Sequence, residues 1–210
     1  QKMFFTQSDV DYFIKNYCNS LELLWRGGSL TPGFEMFKKA RDVVKYRTQW
    51  ILRRLDMPFD FDKQDSYVYD RKTSPWAENL FQLDTLWGKK LQHEMLNEML
   101  CQPTDVLEDI DSNLEKELPN ITKEKAISRI ANARKTLKER YRNYCKYFEN
   151  LEPIDIQESY CNVLTQQYDP HTTFLSADSM DDFTISLQNF LVGIGACLSE
   201  DNGDCIIKEI

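Results

Sequence analysis

The chain has 210 residues, 41% of them hydrophobic and 12% aromatic, which is enough to bury a core and too much for a disordered segment. Its formal net charge of -8 argues against a nucleic-acid binder, which carries a basic excess. No apolar run approaches the ~20 residues that span a bilayer, and the opening QKMFFTQSDVDYF has neither the basic region nor the apolar core of an export signal.

Seven glycines and seven prolines separate long uninterrupted segments, so helices are expected to dominate. Ser8 followed by Asp11 reads as the start of a helix running towards Trp25 and stopped at Arg26-Gly27-Gly28. A second helix fits about 33 to 55, where Phe34, Phe37, Ala40, Val44, Ile51 and Leu55 recur at helical spacing, with Pro58 beyond it. An aromatic-rich stretch, DSYVYD, follows and reads as extended or irregular. Ser74-Pro75 then reads as N-cap and first residue of a third helix whose stripe is Trp76, Leu80, Leu83, Trp87, Leu91 and Met95. Pro103 closes it. Residues 103–119 are acidic, a short helix or a solvated loop.

The next helix, about 123 to 149, places Ile127, Ile130, Arg134, Leu137, Tyr141, Tyr144 and Phe148 on one stripe. Its lysines and arginines form a solvated outer face. Arg134, on the stripe, either snorkels past Ala133 or pairs with a partly buried acid, and the first is expected. A turn at Glu152-Pro153 leads to a helix over about 155–168 that ends at Asp169-Pro170. From residue 186 the pattern changes to two β-like runs flanking Asn202-Gly203, a strong hairpin signal. With that turn, Cys197 falls opposite Lys208.

Candidate chemistry is sparse. The six cysteines show no CxxC pair and no zinc-like spacing. A Cys145–Cys161 bond would need Cα atoms within about 7 Å, closer than packed helix axes at ~8–10 Å. His93-Glu94 opens like a zinc HExxH motif, but Asn97 stands where the second ligand belongs. Gly193-Ile194-Gly195 is no dinucleotide fingerprint, since Leu198 replaces the third glycine and a hairpin follows. Glycines at a strand entrance instead leave backbone N–H groups free to hold a carboxylate. No cofactor and no metal is expected.

DPHTTFLS, residues 169–176, concentrates an acid, a histidine and three hydroxyls. It reads as a joint. Asp169-Pro170 ends one helix because proline disfavours α geometry in the residue before it. Ser176 caps the next, with Asp178, Asp181 and Asp182 in its first turns, where the helix dipole favours acids.

DPHTTFLS, a short helix reaching Phe183 and then FLVGIGACL resembles the tail-specific, or carboxyl-terminal processing, proteases. A second block, RTQWILRRLDMPFDFDKQDSYVYDRKTSPW (47–76), is similar to the helical N-terminal domain of their long members, with the signature Asp70, Arg71, Pro75 and Trp76; FFTQSDVDYF also fits. The resemblance implies a mainly α fold, a multi-helix N-terminal domain over 1–185 followed by a C-terminal β-hairpin over 186–210 that begins a truncated PDZ domain. It marks Asp169, Pro170, His171, Thr172 and Ser176 as a structural motif. It marks Gly193, Ile194, Gly195 and Ala196 as the loop that holds a peptide carboxylate. In the family a serine–lysine pair beyond the PDZ domain performs the cleavage, so no catalytic residue is carried over and the 210-residue chain is expected to be inert.

The implied role is that of a non-catalytic substrate-handling or architectural region of a serine endopeptidase in the periplasm of a bacterial cell envelope. Its implied partners are protein or peptide substrates with accessible C-terminal tails and an adaptor protein, without nucleic acid or a membrane span. The competing reading is a free-standing helical interaction scaffold. The two apolar runs around Asn202-Gly203 argue against it, because an isolated two-stranded hairpin is marginal in water.

Overall fold

The structure is a computed structural model that describes residues 2–62, 65–101, 123–188, 196–201 and 204–209. The described residues are mainly helical, with one antiparallel hairpin near the C-terminus. In chain order they form α1 (Gln7–Tyr17), α2 (Leu21–Arg26), α3 (Thr31–Asp56), α4 (Leu80–Leu100), α5 (Lys123–Asn150), α6 (Pro153–Tyr168), α7 (Ala177–Gln188), β1 (Cys197–Asp201) and β2 (Asp204–Glu209). They divide into two compact units. One comprises Gln1–Ser20 and Lys38–Glu149, and the other Leu21–Phe37 and Asn150–Ile210.

In the first unit, the N-cap of α1 lies two residues before Ser8. Thr6 is its N-cap, and the Asp9 carboxylate accepts from the Thr6 N–H at 2.9 Å and the Thr6 hydroxyl at 2.8 Å. The expected single helix to Trp25 is broken at Cys18-Asn19-Ser20. Short polar side chains there bond the backbone instead of leaving it to the helix: Asn16 Nδ2 donates to the Tyr12 carbonyl and Ser20 Oγ to the Tyr17 carbonyl.

Helix α4 begins at Leu80 with Asn79 as N-cap, not at Ser74-Pro75; the Asn79 side chain accepts from the Gln82 N–H at 2.9 Å. Tertiary contact overrides the local signal. Ala77, 3% exposed, pairs with Thr6 in a parallel bridge and accepts the Gln7 N–H at 2.8 Å, which holds that stretch out of a helix.

The core joins three helices. Ile51 and Leu55 of α3 meet Leu83, Trp87, Leu91 and Met95 of α4 and Ala133, Leu137 and Tyr141 of α5, with Met3 and Ala77 closing the cluster. The α4 and α5 sets repeat strictly every four residues, so each occupies one helix face. The α5 face is rotated from the expected stripe: Ala133 is fully buried, whereas Ile127 is 67% exposed. Arg134 reaches past the core to donate to the Met57 carbonyl at 3.2 Å, and Lys138 pairs with Asp56. Both cations sit where the end of α3 presents free carbonyls and negative dipole.

In the second unit, α2 ends as expected. Gly28 adopts φ +73°, the Ser29 N–H returns to the Leu24 carbonyl and the Gly28 N–H to Trp25, a closure that needs a residue tolerant of left-handed backbone. The first turns of α3 pack on α6. A Cβ on Gly33 would stand 2.5 Å from Cγ of Tyr160, whose ring also makes an edge contact with Trp25. Gly33→Ala would ordinarily gain ~1 kcal/mol of helix propensity. The blocked atom here is the root of a ring, not a flexible tip, so overpacking at ~1–3 kcal/mol wins. A lowered urea midpoint is expected, and an unchanged or raised one would show that the ring yields freely.

The hairpin pairs Leu198 with Ile207, Ser199 with Ile206, Glu200 with Cys205 and Asp201 with Asp204. Cys197 lies opposite Glu209, not Lys208, because a bulge between Cys197 and Leu198 shifts the register by one. All six cysteines are free thiols, Cys145 half-buried and Cys161 buried. The acidic segment 103–119 and the Asn202-Gly203 turn lie outside the described residues. Among the described residues, no helix is long and apolar enough to cross a membrane and no His/Cys/Asp/Glu cluster could hold a metal.

Candidate functional site

Two motifs stood out in the sequence, and each belongs to one unit. The first is the turn after α6. Pro153 occupies the first turn of α6, and the Asp155 carboxylate accepts the Glu152 N–H at 2.9 Å. The helix stops at Tyr168 because Asp169, preceding Pro170, takes an extended backbone (φ -146°, ψ 118°). The Asp169 carboxylate then accepts the His171 N–H at 3.1 Å and the Thr172 hydroxyl at 2.8 Å, locking the turn.

Two residues of α6 that sequence reading missed complete the joint. Asn162 grips Phe174 by both backbone groups, accepting its N–H at 2.7 Å and donating to its carbonyl at 3.0 Å. Glu158, one turn earlier on the same face, accepts the Ser179 hydroxyl at 2.9 Å and the Ser176 N–H at 3.4 Å. Ser176 is buried, and its hydroxyl accepts the Ser179 N–H at 3.2 Å, capping α7 as expected. The signal that could have revealed these clamps is the Glu158–Asn162 spacing on a helix that borders the motif.

No nucleophile forms here. His171 and Thr173 are exposed and their side chains make no hydrogen bond among the described residues, so base and hydroxyl are not brought together. The side chains of Asp169, Thr172 and Ser176 are spent on geometry.

Hydrogen bonds from Ser176 and Ser179 hold Glu158 below the usual carboxylate range, and those from the His171 N–H and the Thr172 hydroxyl do the same for Asp169. A depressed carboxylate contributes stability that is full above its unfolded value, about 4, and is lost as pH falls through the folded value. Acidification below about pH 4 should therefore loosen the joint. The amide resonances of Ser176 and Ser179 should move with a midpoint under that value. Glu158→Gln should remove the step, and its persistence in that variant would reassign it.

The second motif is the loop after α3. The Asp70 carboxylate accepts the Lys72 N–H at 3.0 Å, and the Ser74 N–H reaches the Arg71 carbonyl at 3.3 Å, closing two successive turns. Lys2 seals the far side: its ammonium donates to the Ser74 carbonyl at 2.8 Å and lies 5.4 Å from the Trp76 ring centre. Arg71 is buried at 8% exposure, with only a 3.5 Å approach to the Pro75 carbonyl, and its Nε has no partner.

The third candidate largely escapes description. Gly193, Ile194 and Gly195 lie outside the described residues, and only Ala196, half-buried ahead of β1, is placed.

The family described as Tail specific protease N-terminal domain matches residues 1–178. A Tail-specific protease of Haemophilus influenzae is 24% identical over 206 residues, 98% of this chain but 26% of that relative, so the chain spans about a quarter of the relative's length. With the family matched over residues 1–178, which take in the Asp70–Trp76 loop and all of the Asp169–Ser176 joint, the chain belongs to the tail-specific protease N-terminal domain family.

Proposed function

We infer that the chain is the helical N-terminal region of a serine endopeptidase that acts, in the periplasm of a bacterial envelope, on proteins recognised by their C-terminal tails. The observation that carries this reading is the joint. A turn whose acid, asparagine clamp and the hydroxyls of Thr172 and Ser176 are committed to geometry sets the direction of one helix relative to the next, which is architecture rather than chemistry. The helical domain, expected to end at residue 185, then runs to the end of α7 at Gln188, and the hairpin of β1 and β2 begins a PDZ domain, with Gly193, Ile194, Gly195 and Ala196 as its carboxylate loop. The hairpin supports this assignment. Ile206 and Ile207 are neighbours on β2, hence on opposite faces, and are 42% and 60% exposed. A strand apolar on both faces is suited to burial within a larger sheet.

The test compares the 210-residue chain with the whole gene product on an unfolded protein bearing an apolar C-terminal tail. The whole product should degrade it and lose most of that activity when the tail is replaced by charged residues. The 210-residue chain should leave both substrates intact. A whole product without proteolytic activity, or cleavage by the chain alone, would overturn the reading.

A further inference from the structure

We draw no further inference here: the strongest candidate, the outward apolar face of α7 formed by Met180, Phe183 and Leu187, which are 51%, 48% and 67% exposed, carries nothing because no feature among the described residues shows what covers it.

Discussion

Trp87→Ala should take the first unit to the margin of stability. Trp87 is fully buried on α4, and its indole N–H donates to the Met3 carbonyl. Its ring makes edge contacts with Phe4 at 5.3 Å and Tyr141 at 5.8 Å, and Lys90 lies over its face at 4.5 Å. Truncation of a buried tryptophan costs ~3–5 kcal/mol. The orphaned Met3 carbonyl adds ~1–3 kcal/mol, against a total that for most domains is ~5–15 kcal/mol. Trp87→Phe separates the two contributions: it keeps most of the ring and loses the donor, so it should cost a good deal less. Urea unfolding followed by circular dichroism checks both. A Trp87→Ala protein within 1 kcal/mol of the wild type would mean that the N-terminal segment is not held as the structure has it.

Asp84→Ala should be the next most damaging change. Arg47 is 1% exposed and pairs with Asp84, while its guanidinium lies 5.0 Å from the Trp50 ring centre. Removing one partner of a buried pair strands the other charge, at ~3–5 kcal/mol. The Asp84 side chain is itself 34% exposed, so solvent screens part of the pair and the low end, about 3 kcal/mol, applies. The companion variant is the sharper test. Arg47→Met with Asp84→Leu removes both charges and keeps apolar volume, so it should recover most of the loss, as replaced buried pairs do. A double variant no more stable than Asp84→Ala alone would show that the contacts of Arg47 with the aromatic rings, rather than the ion pair, hold α3 to α4.

A neighbouring polar group behaves differently. The Tyr141 hydroxyl donates to Glu94 at 2.6 Å, and burial, reinforced by that carboxylate, pushes its ionisation far up. It therefore remains a donor throughout the physiological range, and the contact needs no charge compensation beyond Lys90, 3.6 Å from the same carboxylate group.

Local chemistry decided much of this protein within the sequence itself. Gly27-Gly28 ends α2, Pro153 opens α6, Asp169-Pro170 closes it and Ser176 caps α7, because each depends on backbone preferences and on bonds spanning a few residues. The four-residue repeat from Leu83 to Met95 likewise announces the buried face of α4. The two strands around Asn202-Gly203 were legible for the same reason, although the bulge beside Cys197 was not.

Tertiary structure decided the rest, wherever distant partners outbid a local signal. Ser74-Pro75 is a sound helix start in isolation. Thr6 and Gln7, some seventy residues away in sequence, take Ala77 into a bridge, and the helix waits for Asn79. The buried face of α5 is that of Ala133, Leu137 and Tyr141, which join the cluster of α4, and Tyr141 finds Glu94 there. Asn162 and Glu158 carry only their four-residue spacing as a sequence signal, and what they clamp is set where the chain folds back onto them at Phe174 and Ser176. The burial of Arg71, with no carboxylate partner among the described residues, is of the same kind: charge is written in the sequence, but its desolvation depends on what the fold places around it.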